Sequence, residues 1–261
     1  MAAPVQLFHR DLGGKGNPPL LVLHGMLGSS RNWLTAGREL SAHYHVHALD
    51  LRNHGASPHD AEMNYPAMLA DVLAWLAARE IKQVTIIGHS MGGKVAMLLA
   101  CRQPALVKRL IVLDIAPKDY FWVGHRAEFA AMNELQLEHL ASRAEAELRF
   151  EARVDDWSMR KFLTTNLDRG EDGRWRWLIN LPALIEALPV LEKNPLAAGD
   201  HFDGPTLFVT GERSTYVSTK DHEIIHRHFP KAVVTTIAKA GHNPHMDQRE
   251  AFVRAVLETR A

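Results

Sequence analysis

QVTIIGHSMGGK occupies residues 83–94 and decides the fold. A β-branched, continuously apolar run passes straight into Gly88-His89-Ser90-Met91-Gly92, and a helical pattern starts at once, running over 91–103 and stopping before Pro104. A serine at so sharp a strand-to-helix turn is held in a strained conformation with its hydroxyl above the sheet. Small residues two places before and after it relieve the crowding. The free N–H groups of the following helix favour negative charge at the same spot. The five letters alone would occur often by chance, and a glycine-rich turn with an incidental serine is the plain alternative. The strand before and the helix after make Ser90 the candidate nucleophile.

Outward from this turn, short apolar runs recur: 18–25 (PPLLVLHG), 44–52 (YHVHALDLR), 109–117 (RLIVLDIAP), 205–211 (PTLFVTG) and 232–242 (AVVTTIAKAGH). Several are continuously apolar, as strands buried on both faces of a parallel sheet should be. Helical patterns lie between them at 66–80, 219–229 and 247–260. In the first of these, Met68, Val72, Leu73, Leu76 and Ala77 form one stripe, with Pro66 suited to the first turn. Strand–helix alternation predicts an α/β fold with a mostly parallel, doubly wound sheet. VQLFHR followed by LGGKGN reads as an edge hairpin ahead of the first long strand. From Lys118 to Asp200 no convincing buried strand appears; four of the six Trp fall there (Trp122, Trp157, Trp175, Trp177). The expected organisation is therefore a core of 1–117 and 201–261 with a helical cap, or lid, inserted at 118–200.

A serine hydroxyl needs a base. His242, just after the last strand and following a glycine, is placed to reach over the sheet's carboxyl edge; His245 is the alternative. The first long strand ends in His24-Gly25-Met26-Leu27-Gly28, so the amides of Met26 and Met91 could converge on a developing oxyanion. The base needs a carboxylate to fix its tautomer. Asp114, at the end of the strand after the Ser90 helix, is favoured, because a carboxylate within Leu113-Asp114-Ile115 is expensive to bury without a partner. Glu212 is the other candidate. Leu27, Phe121 and Trp122 are expected in the substrate pocket, with ordinary core packing the plainer alternative for the last two.

Thirty Lys and Arg balance thirty Asp and Glu, which argues against a nucleic-acid partner. Hydrophobic residues at 46% and charged residues at 23% fit a globular chain. A single Cys excludes an internal disulfide and fits a reducing compartment; Cys101 itself reads as a small buried hydrophobe. No apolar run approaches the ~20 residues of a membrane helix, and the N-terminus lacks a charged segment followed by an apolar one. A cytoplasmic monomer or homodimer with no membrane partner, no cofactor and no metal is expected. Two metal motifs nevertheless occur. His222-Glu223-Ile224-Ile225-His226 is a literal H-E-x-x-H; it requires a third ligand, for which Asp247 or Glu250 can be nominated, and it falls on an outer helix, where exposed polar histidines are the simpler reading. His43, His45 and His47 alternate along one strand and read as solvated edge histidines. Besides a hydrolase, a non-catalytic ligand-binding protein on the same fold and, remotely, a zinc hydrolase remain open.

Together HGMLGS, DLRNHGAS, MNYPAM, GHSMGGK, LDIAP and AGHNPH resemble the α/β-hydrolase superfamily, and within it the small bacterial esterases of the YbfF type and their mitochondrial relatives. The resemblance spans nearly the whole chain and is weakest in the cap. It implies a serine hydrolase of small to medium acyl esters or thioesters, with Ser90 as nucleophile, His242 as base and the acid at Asp114. Ser214 departs from the commoner superfamily pattern, where an aspartate would stand, in agreement with that relocation. The resemblance also implies that Asp50, Arg52 and His54 brace loops rather than react.

Overall fold

Leu20, Leu21, Val22 and Leu23 are all fully buried, which a strand achieves only with cover on both faces. The computed structural model describes residues 3–258 and sets this strand, β2 (Pro19–Leu23), inside a seven-stranded sheet. The other members are β1 (His9–Asp11), β3 (His45–Leu49), β4 (Val84–His89), β5 (Val107–Leu113), β8 (Thr206–Gly211) and β9 (Ala232–Ile237), in the order β1-β3-β2-β4-β5-β8-β9. Every pairing is parallel except β1 with β3. Helices α2 (Tyr65–Ala77), α3 (Met91–Arg102) and α8 (His222–His228) pack into one apolar cluster; α1 (Leu34–Leu40) and α10 (Arg249–Glu258) pack into a second, with α9 (Pro244–Asp247) just before α10. The doubly wound α/β sheet is as expected. Ser90, Asp114 and the loops after β2, β8 and β9 all come to its carboxyl edge.

Between β5 and β8 the chain forms α4 (Val123–Glu134), α5 (Arg143–Phe150), α6 (Trp157–Thr164) and α7 (Leu181–Leu191). Across the Gly170–Gly173 turn it also forms a small hairpin, β6 (Leu167–Arg169) with β7 (Trp175–Trp177), which the apolar pattern does not announce. Aromatic residues there favour a strand although only two faces of a short ribbon exist to bury them.

Other expectations are corrected. The segment before β2 does form an edge strand, but not a hairpin: Asp11 pairs with His47 and His9 with Leu49, so β1 runs antiparallel to β3. Gly13 and Gly14, both with positive φ, turn the chain away from β2. His43 lies in the turn before β3 rather than on the strand, and His47 is buried rather than solvated. In α2 Ala77 is exposed and Trp75 is buried in its place. Cys101 is half-buried, its thiol pushed up to about 12 by burial. The final helix ends its described part at Glu258; residues 1, 2 and 259–261 lie outside the described residues.

The segment after β3 is a brace. Asp50 accepts the Ser30 amide at 2.6 Å and the Ala56 amide at 2.8 Å. Arg52 grips Asp71 of α2 through Nε and Nη2 at 2.6 and 2.7 Å, both side chains being buried. His54 donates from Nδ1 to the Arg52 carbonyl and accepts the Leu27 amide at 3.3 Å, and burial holds its pKa down at about 3. A neutral ring is required for that acceptor.

Candidate active site

At the β4–α3 turn Ser90 has φ 50° and ψ −117°, a conformation that costs a non-glycine residue on the order of 1–3 kcal/mol. Its neighbours show why glycine is needed there. A Cβ on Gly88 would lie 2.3 Å from the Gly92 carbonyl oxygen, and one on Gly92 2.5 Å from that of His24. Likewise a Cβ on Gly25 would lie 3.2 Å from Cβ of Ser90, so the loop after β2 runs directly against the serine. Neither the Met26 amide nor the Met91 amide has a hydrogen-bond partner among the described residues. Leu27, next along, has φ 60° and is tied on both sides: its amide to His54, its carbonyl to Asn166 Nδ2 at 2.9 Å.

His242 follows β9 and meets Asp114 at 2.7 Å, Nδ1 to Oδ2. The carboxylate is fully buried and well held. Its other oxygen accepts the Gly211 amide at 3.1 Å, and the Ser214 hydroxyl donates to Oδ2. Because a carboxylate only accepts, Nδ1 of His242 carries the proton and Nε2 keeps its lone pair. Tyr216 stacks on the imidazole, with centroids 3.7 Å apart and planes at 18°. His89 donates from Nε2 to the His242 carbonyl at 2.8 Å, fixing the loop; desolvation holds its pKa well below the ordinary value. Asp114 itself has φ 48°, so the acid and the serine both sit on strained strand ends.

Ser90 and His242 line one cleft of roughly 680 Å³, within the range of small-molecule sites. Among the described residues no hydrogen bond joins their side chains; such contacts tighten when substrate arrives. Helices α4 and α6 contribute His125, Glu128, Met159 and Phe162 to the lining of this cleft. His125 and Glu128 pair at 2.6 Å.

Of the candidates singled out in the sequence, Ser90, His242, Asp114, Met26 and Met91 come together. The pocket candidates do not: Phe121 is 70% exposed beneath the Arg126 guanidinium, Trp122 is buried beside Lys94, and Leu27 is buried under the loop, so none lines the cleft. His245, the alternative base, stacks on Trp33 at 4.2 Å and is held near a pKa of about 3 by burial. Glu212 turns away to accept the Lys239 amide at 2.8 Å. On α8 Glu223 pairs with Arg227 at 2.9 Å, and His222 and His226 gather no third ligand among the described residues. Ser214 and Tyr216 were missed as site residues, although the departure at Ser214 signalled that the loop after β8 is special. His125, Glu128, Met159 and Phe162 gave no sign, since nothing in the local pattern of 118–200 says which side chains face the cleft.

Residues 20–255 match the model of the alpha/beta hydrolase family. The chain is 39% identical to the sn-1-specific diacylglycerol lipase ABHD11 of Xenopus laevis over 92% of this chain and 78% of that one. It is 35% identical to Esterase YbfF of Escherichia coli (strain K12) over 92% of both. Among solved structures, a marine microorganism esterase superposes with a TM-score of 0.95 at 36% identity, covering 98% of this chain and 99% of that one.

Proposed function

The chain belongs to the alpha/beta hydrolase family and is a carboxylic ester hydrolase, and from that premise we propose that Ser90, His242 and Asp114 carry out acyl transfer in two halves. Ser90 Oγ attacks the ester carbonyl while Nε2 of His242 takes its proton. The oxyanion forms against the amides of Met26 and Met91, and the imidazolium then protonates the leaving alkoxide or thiolate. Water repeats the sequence on the acyl-enzyme and releases a carboxylic acid. One observation carries the reading: the buried Asp114 carboxylate, satisfied by Gly211 and Ser214, fixes the proton of His242 on Nδ1. A ligand-binding protein without chemistry would have no use for that tautomer.

The substrates we assign are small to medium acyl esters or thioesters. Met159 and Phe162 add apolar surface to the same cleft that Ser90 and His242 line. We also assign 1–117 and 201–261 to the core and 118–200 to a cap, and we place the protein in the cytoplasm as a monomer or homodimer. The single Cys suits a reducing compartment. Among the described residues no helix is long and apolar enough to cross a membrane. The test is hydrolysis of a p-nitrophenyl ester series from acetate to decanoate. Wild-type protein should turn over with a chain-length optimum, and Ser90→Ala should abolish turnover while leaving the circular dichroism spectrum intact. Undiminished hydrolysis by Ser90→Ala would reject the reading.

A further inference from the structure

Away from the cleft, the antiparallel pairing of β1 with β3 gathers a second set of titratable groups. Residues paired across an antiparallel ladder face the same side, so the Asp11↔His47 register puts Asp11, His45 and His47 on one face at the sheet edge. One ligand atom from each lies within 4.8 Å of the others. The face is at the amino end of β3, opposite the carboxyl edge that holds Ser90.

We propose that Asp11, His45 and His47 form a binding site for a borderline divalent transition ion of the zinc type. Two imidazole nitrogens and one carboxylate oxygen suit zinc and its neighbours; calcium and magnesium ask for more oxygens. Donor atoms on a four-coordinate zinc with bonds of about 2.0–2.1 Å stand roughly 3.4 Å apart, so the set has to contract by little more than an ångström. The outer members have the freedom to do so: the side chains of Asp11 and His45 are 52% and 22% exposed, and they already meet at 2.9 Å. His47 forms the fixed base. It is only 8% exposed, and its Nδ1 is buried without a hydrogen-bond partner among the described residues.

The surroundings are arranged to suit. The Gly13 amide donates to Oδ1 of Asp11 at 2.9 Å and orients the carboxylate, leaving Oδ2 on the histidine side. Arg79 stacks on Trp75 at 4.2 Å and donates to Nδ1 of His9 at 3.1 Å, so its guanidinium is engaged away from Asp11. The open side faces solvent and leaves a fourth position for water. An ion here would pin a three-residue edge strand to its neighbour; it takes no part in acyl transfer, and the assignment stands apart from the roles given to Ser90 and His242.

The probe is zinc chloride added to chelator-treated full-length protein at about pH 7.5. Calorimetry should give one equivalent bound with a Kd of about micromolar or tighter, and the ion should raise Tm in proportion to its occupancy. Asp11→Ala, at an exposed position, and His45→Ala, at a half-buried one, should each weaken binding by about tenfold or more. A His222→Ala, His226→Ala double variant should bind as wild type does, and ester hydrolysis should be unchanged in all these proteins. Cobalt(II) in place of zinc should give the visible absorption of a four-coordinate site, lost in His45→Ala. No saturable binding up to about 1 mM zinc, or binding that survives Asp11→Ala and His45→Ala, would overturn the proposal.

Discussion

Replacing Asp114 by Asn tests the proton arrangement with little change of volume. The carboxylate accepts three hydrogen bonds, from the Gly211 amide, the Ser214 hydroxyl and Nδ1 of His242. An amide can accept on one side only. With its oxygen toward His242, its NH₂ confronts the Gly211 N–H, donor against donor. Flipped, the NH₂ donates to Nδ1, drives the imidazole proton to Nε2 and removes the base. Either arrangement leaves one buried group unpaired, at about 1–3 kcal/mol of stability. The same loss of tautomer lowers kcat by ~10⁴-fold, about 5.4 kcal/mol of barrier. Steady-state hydrolysis of p-nitrophenyl butyrate reads kcat, and urea unfolding reads stability. Glu212→Gln is the matched control and should stay within about threefold of wild type, since Glu212 only caps Lys239. Asp114→Asn within about tenfold of wild type, or a large loss confined to Glu212→Gln, would refute the assignment of the acid.

Two further outcomes follow from particular contacts. In Gly25→Ala the new Cβ would stand 2.8 Å from Nδ1 of His89, whose ring is anchored to the His242 loop, so the Met26 amide must shift; kcat should fall about 10²-fold with Tm little altered, and wild-type kcat would dispose of the argument. Lys94 is fully buried, its ammonium donating to the carbonyls of Glu192 and Lys193 at 3.1 and 2.6 Å at the end of α7, and desolvation lowers its pKa to about 7. The unfolded chain therefore binds the extra proton between about pH 7 and 10. Stability should rise with pH across that window, by on the order of 3–4 kcal/mol, and the benefit should vanish as pH falls through 7. Lys94→Met should abolish the slope in urea midpoints measured at several pH values; an unchanged slope would show that Lys94 is not its source.

The parts of the fold legible in the sequence were those set by local pattern. The continuous apolar runs of β2, β4, β5 and β8 announce strands covered on both faces, and the glycines around Ser90 announce a turn that tolerates no Cβ. Ser90, His242 and Asp114 could be singled out because each stands at the end of an apolar run, where a parallel sheet must present it. Whatever depends on pairing between distant segments stayed hidden. The partner of β1 is chosen by register and by the turn at Gly13 and Gly14, so neither the lost hairpin nor the meeting of Asp11 with His47 can be read from spacing. The cleft wall is a matter of how the inserted helices lie over the sheet. Phe121 and Trp122 come only eight and nine residues after β5, yet Arg126 and Lys94 hold them outside the cleft, while Met159 and Phe162 arrive from some forty residues further along the chain.

Acyl transfer by this site requires Ser90 to be the activated hydroxyl, and covalent labelling reads that without knowledge of the substrate. Wild-type protein treated with a fluorophosphonate probe, digested and mapped by mass spectrometry should carry one adduct, on Ser90, with labelling slowed in His242→Ala. An adduct on another residue, or a fully active esterase that never labels at Ser90, would contradict it.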